Sequence, residues 1–269
     1  MKYMELIVDS ILVVLLYFPL FPQMVRVWVN KPDFSHGFFI PFISLYFIWR
    51  NRNELKNTRV NPSAKGLFIL IGGLIFYYLA RMGYSFHFQC FSILIVLMGI
   101  VYTQAGKEIF KKTCFSIFYL IFMIPLPDIV YTTITFKLRL FATHISFIII
   151  RLMGIDAVRQ GTIINLPYCK LVVATPCSGI RSLITFMAAS LAIGYIFQKS
   201  IGKRITLFIF SIPLAVMLNI VRLVITGGVS HMMKVAEVPA SVHDTAGYVV
   251  LIMGFVILFA ASDILKRVK

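Results

Sequence analysis

Residues 205–226 read ITLFIFSIPLAVMLNIVRLVIT, a run whose one charged side chain is Arg222. A helix of that length crosses the roughly 30 Å of hydrocarbon in a bilayer. Comparable runs lie near 6–22, 36–49, 66–81, 86–102, 113–133, 178–197 and 244–263, the second of them short at 14 residues. The whole chain of 269 residues is 59% hydrophobic and 13% charged, with a mean hydropathy of +0.90. Soluble domains carry about 25% charged residues, and a soluble fold of this length could not hide so much apolar surface. An ordinary soluble enzyme, a disordered tail and a disulfide scaffold are therefore excluded. The expected architecture is all-α: a polytopic transmembrane helical bundle of about eight spans, forming a single domain over residues 1–269.

The 26 Lys and Arg residues outnumber the 10 Asp and Glu, for a net charge of +16. No soluble stretch is long enough to hold a nucleic-acid-binding module, so no nucleic acid is expected as a partner. The charge fits the positive-inside rule better. Four connectors, 50–65, 104–112, 198–204 and 265–269, hold 14 of the 26 basic residues. Placing all four in the cytoplasm puts both termini inside and the protein in the plasma (inner) membrane. Lys2 precedes an apolar run with no small-residue cleavage site after it, so that run reads as a retained span and not a signal peptide.

This orientation obliges 134–177 to begin and end on the outer side. Residues 134–155 are apolar but carry Lys137, Arg139, His144 and Arg151, a pattern suited to an interfacial helix. Residues 158–174 alternate, with Gly161 and Pro167 at turns, and read as a short extended hairpin outside the bilayer. The hairpin delivers the chain to Cys177. The four cysteines, Cys90, Cys114, Cys169 and Cys177, contain no C-x-x-C pair, so a structural zinc site has no support and no metal or cofactor is expected.

Polar groups at a membrane boundary are costly and commonly functional. Mapped onto this topology, Cys177 opens the sixth span, Arg222 lies in the last turns of the seventh, and His243 with Asp244 lies at the mouth of the eighth. Three spans thus bring a thiol, a guanidinium and an imidazole to the outer face at similar depth. Such a trio supports thiolate catalysis: His243 takes and returns a proton, and Arg222 holds an oxyanion with a planar fork of donors. Pro176 and Gly179 suggest a tight turn into a helix, whose N-terminus favours a thiolate. Each residue also has a plain alternative: a structural Cys, a snorkelling Arg, a solvated His243–Asp244 pair. Arg181, four residues after Cys177, would face the same side one turn deeper on a helix, to lower the thiol pKa or to pair with Asp244 or a carbonyl. Asn219, three residues before Arg222, is placed to orient it. His36 either lines a substrate entrance or caps an interfacial turn. His87, His144 and His231 have no motif partners.

With Cys177-Ser178-Gly179-Ile180-Arg181-Ser182, Asn219-Ile220-Val221-Arg222, His243 followed by Gly247, and Phe34-Ser35-His36-Gly37-Phe38 with Pro41, the chain resembles the exosortase/archaeosortase family of membrane cysteine transpeptidases. The resemblance runs over essentially the whole chain. It implies a secreted-protein substrate with a C-terminal sorting signal: a short motif such as Pro-Glu-Pro, one transmembrane helix and a basic tail. It also implies Cys177 as nucleophile, Arg222 as transition-state stabiliser and His243 as acid/base, with a thioester acyl-enzyme resolved by a cell-surface acceptor. Arg181 and Asn219 match the motifs without an assigned step. The alternatives are a transporter or carrier, which would show midplane polar residues and broken helix pairs, and a non-catalytic binder of sorting signals. A quinone-linked thiol oxidoreductase would need Cys169 and Cys177 to act as a pair.

Overall fold

A computed structural model describes residues 11–173, 178–235 and 240–267, the side chains of 240–244 excepted. It is an all-α polytopic bundle, with seven helices among the described residues long and apolar enough to cross a membrane. The chain divides into two compact units, 1–127 and 128–269.

In the first unit, α1 (Ile11–Asn30) leads through a 3-10 segment (Pro32–Phe38) into α2 (Ile40–Arg50). Helices α3 (Lys65–Met82) and α4 (Phe86–Ala105) form a tight antiparallel pair. A Cβ at Gly99 would lie 2.6 Å from the Cα of Leu70, so only a residue without one lets the two backbones approach this closely. α5 (Lys107–Tyr119) continues as a 3-10 turn (Leu120–Met123) and then stops.

That stop corrects the expected span over 113–133. Pro125 and Pro127 lack backbone donors and force the residues before them out of the helical region, so the run breaks at 124–127. The carbonyls freed near the break are taken up by side chains of the same unit. Trp28 Nε1 donates to the Met123 oxygen at 2.9 Å, His36 Nε2 to Phe122 at 3.1 Å, and His87 Nδ1 to Pro125 at 3.0 Å. His36 and His87 are thus parts of one capping arrangement. The short run at 36–49 is only 11 residues of α-helix, below the length of a span.

In the second unit, α6 (Asp128–Leu152) is a single helix of 25 residues. It starts directly after Pro127 and contains most of the expected 134–155 segment, and it has the length and composition of a span. The hairpin expected over 158–174 is a three-stranded antiparallel sheet of β1 (Val158–Gln160), β2 (Ile163–Asn165) and β3 (Lys170–Val172). Its inner side packs Ile164, Leu166, Cys169 and Leu171 against Ile150 of α6.

α7 (Ile180–Phe197), α8 (Ile201–Met232) and α9 (Ala240–Arg267) follow. Phe186, Ile193, Leu207, Leu214, Ala215, Leu218, Val250 and Leu258 form their common core. α7 and α8 run antiparallel, with Gly194 beside Arg204 at one end and Gly179 beside Asn219 at the other. At the Gly194 end Gln198, buried in the connector, donates from Nε2 to the Ser262 carbonyl at 2.6 Å and to its Oγ at 2.8 Å, pinning the α7–α8 turn to α9. The outward faces of the spans keep large apolar side chains exposed, among them Phe68, Met217 and Ile252, as lipid contact requires.

Candidate active site

The site grows from the end of the α7–α8–α9 group opposite Gln198. Before α7 the chain makes a turn in which Gly179 sits at φ +84°, a left-handed conformation that disfavours any side chain. Ser178 is buried and its Oγ accepts from the Ile180 N–H at 3.3 Å, while Ser182 Oγ donates to the Gly179 carbonyl at 2.9 Å. These bonds hold the turn that opens α7, whose N-cap position is Gly179. Cys177 itself lies outside the described residues.

Two residues of α8 close onto this end. Asn219 is buried, and a Cβ at Gly179 would lie 2.8 Å from its Cγ, so Asn219 fills the space left by the glycine. Arg222, one turn further and half-buried, lies against α9: a Cβ at Gly247 would lie 3.2 Å from its Nη2 and 3.3 Å from its Cζ. Residue 243 is one turn earlier than Gly247 on the same face of α9, because positions four apart on a helix align. The side chains of His243 and Asp244 lie outside the described residues. Gly179, Asn219, Arg222 and Gly247, drawn from three separate motifs, are therefore neighbours.

Arg181 is exposed in the first turn of α7, which begins at Ile180 after the Ser178–Gly179 turn. Asn219, expected to orient Arg222, also packs against Gly179. His36 belongs to the first unit, bonded to Phe122. The role of Trp28 beside it has no sequence signal, since an apolar helix position does not announce the carbonyl its indole will meet. Cys90, Cys114 and Cys169 are free thiols. Burial pushes the Cys169 thiol up from its ordinary value, an effect partly offset by the Ser230 hydroxyl, which leaves it a poor nucleophile.

Gly247 gives a test that separates function from folding. In a helix, Gly→Ala adds about 1 kcal/mol of helix preference, but a methyl at 247 presses on the guanidinium. Gly247→Ala is expected to hold or raise Tm while lowering turnover by about tenfold. Turnover unchanged at the same Tm would show that the contact has no bearing on the reaction.

Fold and site together define an integral multi-pass membrane protein in which α7, α8 and α9 gather a glycine turn, a buried amide and a guanidinium at one end. A family model described as transmembrane exosortase matches residues 28–260, and the chain belongs to that family. Membership supports a role in processing sorting signals at the membrane. No curated protein and no solved structure matches the chain.

Proposed function

We propose that this protein is a membrane cysteine transpeptidase that removes the C-terminal sorting signal of secreted proteins, of the Pro-Glu-Pro type, and passes them to a cell-surface acceptor. The observation that carries this reading is the placement of Arg222 against Gly247, one turn from residue 243, with Asn219 against the turn that follows Cys177. In the proposed reaction the Cys177 thiolate attacks the backbone carbonyl at the motif and forms a C–S bond. Arg222 holds the developing oxyanion with paired donors. His243 delivers its proton to the leaving amine as the C–N bond breaks, freeing the membrane helix. The acceptor nucleophile then attacks the thioester and returns the thiol.

Orientation follows from charge. The basic connector 198–204 and the tail at Lys266 and Arg267 lie at the Gln198–Ser262 end of α7, α8 and α9. Placing that end in the cytoplasm puts the Arg222 end on the outer, periplasmic side and the substrate within reach of lateral entry from the bilayer.

The test is intact mass of a co-expressed secreted protein bearing the tripartite signal. Wild-type enzyme should remove the helix and tail, and any added mass names the acceptor. A full-length substrate recovered beside folded enzyme would overturn the reading for that class of signal.

A further inference from the structure

Among the described residues the small sheet has two edge strands, β1 and β3, and β3 is the one that leads into the Cys177 segment. The order is β1–β2–β3, with Ile163 opposite Val172, Ile164 opposite Leu171 and Asn165 opposite Lys170. Val173 N donates to the Thr162 carbonyl at 3.0 Å and Leu166 N to the Cys169 carbonyl at 2.8 Å. In an antiparallel ladder bonded and non-bonded pairs alternate, so 169, 171 and 173 turn their backbone groups toward β2. Lys170 and Val172 therefore turn theirs the other way. Among the described residues no backbone group bonds to them on that side. Both are exposed, Val172 at 51%, while Leu171 between them is buried against the sheet's core. Among the described residues the edge is anchored from beneath by Leu171 and has no backbone partner.

Resting on the transpeptidase reading above, we propose that this edge is the docking rail for the substrate: the extended segment around the scissile bond adds as a fourth strand beside Lys170 and Val172. Donors and acceptors alternating along an extended backbone are matched by another extended main chain, which is how peptides add to sheet edges. Arg159 and Lys170 are the charged residues among the nine that form the strands, and none is acidic, so the sheet favours a peptide carrying a carboxylate. Val172 is five residues from Cys177, and a chain reaches at most ~3.5 Å per residue. A paired peptide of similar length thus spans from the rail to the thiol. Lys170, at the start of β3, also discourages pairing with a second copy.

The experiment uses the full-length enzyme and a sorting-signal substrate. The N–H of Val172 is not in the ladder to β2, so Val172→Pro leaves that pairing intact and removes a donor from the open side. Loss of that pairing should raise KM about tenfold with kcat within about twofold, while Val172→Ala stays within about twofold in both. A second measurement leaves the sheet unaltered: N-methyl groups placed one by one on the non-proline residues of the extended substrate segment should weaken binding to the Cys177→Ala enzyme at alternate positions. Val172→Pro with the wild-type KM, or an N-methyl scan with no two-residue period, overturns the rail. A change of oligomeric state in Val172→Pro without a change in KM also overturns it, assigning the edge to self-pairing. If wild-type enzyme leaves the signal uncut, the reading beneath it fails instead.

Discussion

Cys177→Ala and Cys177→Ser should abolish removal of the sorting signal, by at least about 10³-fold, while the folded protein accumulates as the wild type does. The reason is chemical: neither a methyl nor an unactivated hydroxyl forms the thioester on which the proposed transfer depends. The controls are the other three cysteines. Cys90 and Cys169 are buried, all three are free thiols, and Ala at each should keep turnover. Cys169 is the informative one. It lies in the sheet core beside Ser230 with a thiol that burial holds protonated, so its loss should cost packing and not catalysis. Processing counted by intact mass, with Tm measured in parallel, reads both. Equal damage from Cys169→Ala and Cys177→Ala would replace the transpeptidase with a dithiol mechanism.

Arg222→Lys should lower kcat by about 10²-fold, with KM nearly unchanged, because an ammonium offers one point of charge where the transition state takes a planar pair of donors. The half-buried guanidinium is held flat against Gly247, and a lysine ammonium cannot fill that slot. Arg222→Ala should be worse, since it removes the charge as well. Single-turnover kinetics with a peptide ester decide the matter: a Lys variant that acylates at the wild-type rate would remove Arg222 from the chemical step and leave it a structural role at the α8–α9 contact.

Most of the span pattern is legible in the chain, because a bilayer leaves a helix no choice but to be apolar over its crossing length. Three runs depart from it: 36–49 is too short to span, 134–155 lies in a helix of span length and not an interfacial one, and 113–133 breaks. Hydropathy sums side chains and passes over Pro125 and Pro127, whose effect is on backbone donors and on the conformation of their neighbours. The break then needs side chains to satisfy its carbonyls, and Trp28, His36 and His87 do so. Nothing in their local sequence foretells that, since each partner lies 38 to 95 residues away.

Composition and charge by themselves determined that this is a polytopic membrane protein, and the motifs around Cys177, Asn219, Arg222, His243 and Gly247 determined its family, because apolar length and residue order are properties of the chain. The tertiary structure decided what those residues touch. Gly179 makes room for Asn219, and Gly247 receives the Arg222 guanidinium, through contacts 40 and 25 positions apart in sequence. Packing of this kind depends on which helices run antiparallel and at what height they meet, and no local pattern encodes a height. The open side of β3 was decided in the same way, by a register that turns Lys170 and Val172 outward.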